Sequence, residues 1–176
     1  KSVDMIYLDS PNNPTGFQFS NKDLEKLIKS FSGPIIIDEA YGEFSNSSVL
    51  NLVKKYPNII LVKTLSKAFG LAGLRIGYMI ADKKITEVFS NVIQYPYPLN
   101  TLAIECGILA IEKSKQIIPI FEVIKKQRAR IIKNLKKYDA FDVFDSNANF
   151  VLFDAKGADT RVYNALIEQG ISIRKL

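Results

Sequence analysis

Short runs of purely apolar residues alternate with longer stretches in which apolar side chains recur every three or four positions. Val3-Asp-Met-Ile-Tyr-Leu8, Ile35-Ile-Ile-Asp-Glu-Ala-Tyr41, Asn58-Ile-Ile-Leu-Val-Lys63 and Ile76-Gly-Tyr-Met-Ile-Ala81 read as strands, the middle two rich in β-branched residues. The run at 35–37 has no polar side at all, so it is expected to be covered on both faces, as parallel strands are. Between the first two runs, Ser20 is placed to cap a helix over about 21–31, with Asp23 at the capping-box position. Leu24, Leu27, Ile28 and Phe31 share one face of that helix, and Gly33-Pro34 ends it. A second helix is expected over about 48–56. Only about a dozen residues separate the strand at 59–63 from the strand at 76–81, too few for a helical crossover, so these two should run antiparallel.

Asp82 then caps a helix with Ile85, Val88, Phe89 and Val92 turned inward, and it stops before Tyr95-Pro-Tyr-Pro-Leu99. Two prolines one residue apart cannot continue a helix, so this stretch is the internal boundary. Asn100 opens a helix to about 114, and another follows over about 117–137 with Pro119 in its first turn. Strands are expected at 142–145 and 149–153, a helix over 159–169 ended by Gly170, and a last strand at 171–174. The pattern predicts an α/β chain. A mostly parallel sheet over 1–96 is followed at 97–176 by connecting helices and an incomplete small α+β domain. Lys1 is not an initiator methionine and strand patterns lie near both ends, so a segment of a longer protein is expected.

Composition narrows the chemistry. The 176 residues are 47% hydrophobic, enough for a sizeable core, and contain no histidine, which removes Ser-His-Asp and Cys-His mechanisms and most zinc sites. The lone Cys106 excludes an internal disulfide, fits a reducing, cytoplasmic setting and falls on the apolar stripe of its helix as core filler. The net charge of +6 is local: residues 125–137 carry seven basic side chains and no acid, while the rest of the chain is slightly acidic. Ile124, Ile131 and Leu135 give that helix an apolar seam, so its charges are expected on a solvated face. Without interleaved aromatics they argue against nucleic-acid binding. No apolar stretch approaches the roughly 20 residues of a membrane span.

Candidate chemistry gathers after the strand ends, where ligands bind in open α/β sheets. Lys67, in Thr64-Leu-Ser-Lys-Ala-Phe-Gly-Leu-Ala-Gly-Leu-Arg75, is either a solvated loop lysine or a Schiff-base amine. Its company favours the second reading: Thr64 and Ser66 offer hydroxyls, Arg75 a fixed cation, and Gly70 and Gly73 let backbone N–H groups approach an anion. Asp38, placed after three isoleucines, either caps the next turn or is an ion that needs a cation or several donors. Tyr41 is packing or a phenol donor, and Asn13, in Asp9-Ser-Pro-Asn-Asn-Pro-Thr-Gly16, is a turn former or a ligand.

Taken together, Asn-Pro-Thr-Gly, Asp-Glu-Ala-Tyr, the lysine loop and Pro-Tyr-Pro-Leu-Asn resemble, in order and over the whole chain, the fold-type-I pyridoxal-phosphate aminotransferases, most closely their histidinol-phosphate branch. The resemblance implies the C-terminal part of that family's large sheet domain plus an incomplete small domain. It implies pyridoxal 5'-phosphate held covalently by Lys67, Asp38 on its ring nitrogen, Asn13 and Tyr41 on its ring oxygen, and Thr64, Ser66 and Arg75 on its phosphate. Lys67, Asp38 and Tyr41 would be catalytic. Asn13 and Arg174 would contact substrate, and no metal is implied. The implied activity is transamination between histidinol phosphate and 2-oxoglutarate in histidine biosynthesis, by a homodimer, with an amino donor and a 2-oxo acid as partners. Residues outside the chain would complete the site. Alternatives are an aromatic-amino-acid aminotransferase, a decarboxylase of phosphate-bearing substrates on the same fold, or a ligand-sensing domain of a transcription regulator.

Overall fold

A computed structural model describes residues 3–95 and 97–176. Pro96, one of the two prolines of the expected boundary, lies outside the described residues, as do Lys1 and Ser2. Strands β1 (Ile6–Asp9), β2 (Ile35–Asp38), β3 (Ile59–Thr64) and β4 (Gly77–Ala81) form one sheet in that order. The first three are parallel and β4 is antiparallel to β3, as the short connection requires. Helix α1 (Asn21–Ser30) joins β1 to β2, and the short α2 (Leu50–Val53) precedes β3. Ser20 caps α1 by accepting from the Asp23 N–H at 3.1 Å, while its own hydroxyl donates to the Asp23 carboxylate at 2.7 Å.

The expectation that the isoleucine strand is covered on both faces is met on one face only. Ile35, Ile37, Ile59 and Leu61 are fully buried against Leu24 and Ile28 of α1 and Leu52 and Val53 of α2. Ile36, Ile60 and Val62, on the other face, stay half-exposed. Right-handed crossovers explain this: a sheet that advances steadily from β1 to β3 puts both connecting helices on the same side.

Helix α3 (Lys83–Val88) passes into a π-helical turn over Phe89–Ile93. Val88 and Val92, expected inward, are 54% and 77% exposed: among the described residues α3 packs mainly on β4, and the wider turn, which starts after Val88, rotates Val92 off the apolar stripe. Helix α4 (Thr101–Glu112) is capped by Asn100, whose side-chain oxygen accepts from the Ala103 N–H at 2.8 Å. Cys106 on α4 is only half-buried. Helix α5 (Ser114–Leu135) begins earlier than expected, almost directly after α4, so Pro119 is an interior residue and not a first-turn one.

The basic helix is also less solvated than its charge pattern suggests. Phe121 is buried and meets Phe44 and Phe69 with centroids 5.9 and 6.1 Å apart. Arg128 turns inward to donate to the carbonyls of Phe44 at 2.9 Å and Ala148 at 2.6 Å, and burial pushes its guanidinium down from its ordinary value. Of the expected seam, Ile124 and Leu135 are half-buried and Ile131 is exposed.

Strands β5 (Asp142–Val143) and β6 (Phe153–Asp154) form a minimal antiparallel pair, shorter than predicted. Helix α6 (Asp159–Glu168) ends at Gly170, which takes φ +74° while the Ile171 N–H returns to the Leu166 carbonyl at 2.8 Å. The strand expected at 171–174 does not form. Among the described residues its alternation finds no strand to pair with, and a strand without a ladder partner is not a strand.

Candidate functional site

Three of the singled-out side chains meet above the carboxyl ends of β1, β2 and β3. Asn13 sits in the loop after β1, shaped by cis bonds at Ser10-Pro11 and Asn13-Pro14. Its side-chain amide donates to the Tyr41 hydroxyl at 2.9 Å. The buried Tyr41 ring lies edge-to-face on Phe150, with centroids 5.2 Å apart, and the Lys67 amine stands 5.5 Å from its centroid. Asp38 closes β2: its Oδ1 accepts from the Ala40 N–H at 2.8 Å, and its Oδ2 accepts from the Tyr7 hydroxyl.

Lys67 is exposed, and among the described residues it makes no ion pair. Among the described residues Lys54 and Lys84 make no ion pair either, whereas Lys63, Lys55 and Lys83 do. Lys63 is bound to Glu39 at 3.2 Å and Glu43 at 2.9 Å. Burial by itself would lower its amine, but Glu43 and Glu39 outweigh that and hold it above its ordinary value. Lys55 pairs with Glu25 at 2.6 Å and Lys83 with Glu87 at 3.6 Å. Among the described residues, Lys67 alone combines an amine outside any ion pair with a place over the Tyr41 ring.

The expected phosphate ligands are less closely drawn in. The Thr64 hydroxyl donates to the Ile76 carbonyl at 3.2 Å and accepts from the Ser66 N–H at 3.1 Å, so it ties the base of the lysine loop. Arg75 is exposed, holds a left-handed backbone at φ +54°, and donates to the Ala72 carbonyl at 3.2 Å. Gly70 has φ +69°, which a glycine adopts without strain, and open space surrounds both Gly70 and Gly73. The Gly70 N–H donates to the Lys67 carbonyl at 3.3 Å, while among the described residues no side-chain hydrogen bond joins Thr64, Ser66 or Arg75 to Lys67 or Asp38.

Arg174 reaches the site from the far end of the sequence. A cavity of about 530 Å³ is lined by Asn13 and Pro14, by Phe150–Ala155, by Asp159, Val162 and Tyr163 of α6, and by Arg174 with its neighbours. Asn13 and Phe150 thus belong both to this cavity and to the Tyr41 cluster. The walls are mostly apolar, with two cations, Arg174 and Lys175, and two carboxylates, Asp154 and Asp159, set into them, the usual make-up of a small-molecule site.

Two residues escaped the sequence reading. Glu39 is fully buried: its carboxylate accepts from the Val49 N–H at 2.6 Å, the Ser48 hydroxyl at 2.8 Å and the Lys63 amine at 3.2 Å, pinning the segment after Asp38. Tyr7 reaches Asp38 across the sheet. Strand alternation was the available signal for Tyr7, but it becomes readable only once β1 is known to pair with β2.

Residues 1–176 match the family described as aminotransferase class I and II. A histidinol-phosphate aminotransferase of Thermoanaerobacter pseudethanolicus is 38% identical over 170 residues, covering 97% of this chain and 48% of the relative. Among solved structures, L-threonine-O-3-phosphate decarboxylase from Porphyromonas gingivalis superposes with TM-score 0.84 at 25% identity, covering 98% of this chain and 54% of that one. Histidinol-phosphate aminotransferase from Sinorhizobium meliloti, solved in complex with pyridoxal-5'-phosphate, superposes with TM-score 0.83 at 25% identity, covering 98% and 49%. The chain spans about half the length of the curated relatives it matches. With a family match over its whole length, on a mixed sheet whose strand ends collect Asn13, Asp38, Tyr41 and Lys67, the chain belongs to the class I and II aminotransferases, whose cofactor is pyridoxal phosphate.

Proposed function

We propose that the protein carrying this chain is a pyridoxal-phosphate-dependent aminotransferase that moves an amino group between histidinol phosphate and 2-oxoglutarate, yielding imidazole-acetol phosphate and glutamate, in histidine biosynthesis. The observation that carries this reading is the Lys67 amine, in no ion pair among the described residues, over the ring of Tyr41, whose hydroxyl accepts from Asn13. The fit to the cofactor is chemical. An uncommitted amine suits an aldehyde, a strand-end carboxylate suits a protonated ring nitrogen, and a loop with hydroxyls, glycines and an arginine suits a phosphate.

When bound, pyridoxal phosphate supplies the carbonyl for the amine and the electron sink for the bond broken at the substrate's α carbon. Lys67 would hold it covalently, and its amine, once released, would carry the proton from the substrate's α carbon. Asp38 would keep the ring nitrogen protonated. Tyr41 and Asn13 would hydrogen-bond the ring oxygen, and Thr64, Ser66 and Arg75 would bind the phosphate. The cavity shared by Asn13 and Arg174 supports a substrate site in which Arg174 meets the anionic end. We further propose a large domain over 1–96, a small one over 97–176, a cytoplasmic homodimer, and a glutamate-type donor with a 2-oxo acid acceptor.

Borohydride reduction of the whole protein loaded with pyridoxal phosphate, followed by peptide mapping, should place the adduct on Lys67. An adduct mainly on another lysine overturns the assignment. A second reading, a decarboxylase of a phosphate-bearing amino acid, is favoured by the Porphyromonas gingivalis structure. Assays with histidinol phosphate and with L-threonine-O-3-phosphate separate the two: release of carbon dioxide without amino transfer would replace the first reading by the second.

A further inference from the structure

Strand β1 pairs with β2 in parallel, with Tyr7 opposite Ile36 and Asp9 opposite Asp38. Alternate residues of paired strands share a face, so Tyr7, Asp9, Ile36 and Asp38 lie on one side of the sheet. The distance from Tyr7 to Asp38 is a diagonal one that only a long side chain spans, and the phenol spans it to donate to Asp38 Oδ2. With the Ala40 N–H on Oδ1, each carboxylate oxygen then has one donor, which fixes the rotation of the group. Asp9, the register neighbour, is occupied elsewhere: its Oδ2 accepts from the Asn12 amide at 2.8 Å and the Asn13 N–H at 3.2 Å.

Packing does not account for Tyr7, since the residue is 56% exposed and a phenylalanine would make the same apolar contacts. The hydrogen bond to Asp38 first, then burial and the Asp38 and Asp9 charges, push its phenol up to about 12, so the hydroxyl remains a donor at any working pH.

We infer that Tyr7 is a positioning residue that sets the orientation of the Asp38 carboxylate, the group that meets the cofactor's ring nitrogen on the reading proposed above. Tyr7 itself does not touch the reacting atoms. Its hydroxyl holds one oxygen of Asp38 while the Ala40 N–H holds the other, and each oxygen keeps a lone pair for a further donor. Removing the hydroxyl frees the carboxylate to rotate, so both the cofactor's grip and the proton on its ring nitrogen should suffer.

The test uses the whole protein as wild type, Tyr7→Phe, Asp38→Asn and the double variant, with pyridoxal phosphate enriched in ¹⁵N at the ring nitrogen. Tyr7→Phe is expected to bind pyridoxal phosphate about tenfold more weakly. Its ring ¹⁵N resonance should move toward that of the free cofactor, kcat should fall with little change in KM, and the melting temperature should hold. In the Asp38→Asn background the same substitution should add less than about twofold, because its route is already cut. An unmoved resonance and affinity overturn the inference. So does an equal effect in both backgrounds, or a lowered melting temperature with the resonance unmoved, which would make Tyr7 a structural residue. The borohydride adduct on wild-type Lys67 reports separately on the aminotransferase reading, so failure of that reading and failure of the role of Tyr7 are told apart.

Discussion

Arg128→Ala should cost far more than any ordinary change on a basic helix. The guanidinium of Arg128 donates through one nitrogen to the carbonyl of Phe44, three residues beyond Tyr41, and to that of Ala148, two residues before Phe150. It therefore joins the two segments whose rings meet edge-to-face at 5.2 Å. A hydrogen bond from a charged donor is worth about 1.5–3 kcal/mol, and a carbonyl left without a partner loses its share of that. Arg128 is half-buried, so water replaces part of each lost bond, and about 2–3 kcal/mol for the pair is the working figure. Arg128→Lys, with a single point donor, should lose roughly half of this. Arg130→Ala, two residues on and exposed, should stay within about 0.5 kcal/mol. Thermal unfolding of the whole protein reads the contrast directly: Arg128→Ala should melt several degrees below wild type and Arg130→Ala beside it. Equal melting temperatures for the two variants would refute the bridging role and return the helix to a solvated charge face.

Gly16→Ala should destabilise by about 2 kcal/mol or more, because φ is +72° there and an added Cβ would lie 2.6 Å from that of Ser146; a melting temperature equal to wild type would contradict this. Asp38→Asn should leave the borohydride adduct on Lys67 intact while slowing turnover by orders of magnitude, since it removes the ring-nitrogen partner and not the covalent anchor; single-turnover rates check it. Alkaline titration should reveal a phenol ionising near 12 that is absent from Tyr7→Phe. The sign follows from that raised value: the folded state holds the proton more tightly than the unfolded chain, so the contribution of Tyr7 is complete below about pH 10 and is lost as pH rises through 12. If the phenolate difference appears near 10, the hydrogen bond to Asp38 is not present in solution.

Local rules carried much of the architecture. The Ser20 and Asn100 caps, the two isoleucine-rich strands, the stop at Gly170 and the reversal of β4 all follow from interactions within a few residues or from the length of one connection. For the same reason the lysine loop, the Asp-Glu-Ala-Tyr turn and the Asn-Pro-Thr-Gly turn could be assigned to strand ends from the sequence, since each follows directly on an apolar run. Long-range packing decided the rest. Whether Ile171–Arg174 became a strand depended on a neighbour that no local pattern supplies. The inward turn of Arg128 needed two carbonyls, one from a residue 84 positions earlier and one from a residue 20 positions later. The bond from Tyr7 to Asp38 required the register of β1 on β2, and that of Asn13 to Tyr41 required two loops to converge. Periodicity shows which side of a strand or helix a residue occupies. What stands opposite is set by the pairing of elements distant in sequence, and only the folded chain holds that information.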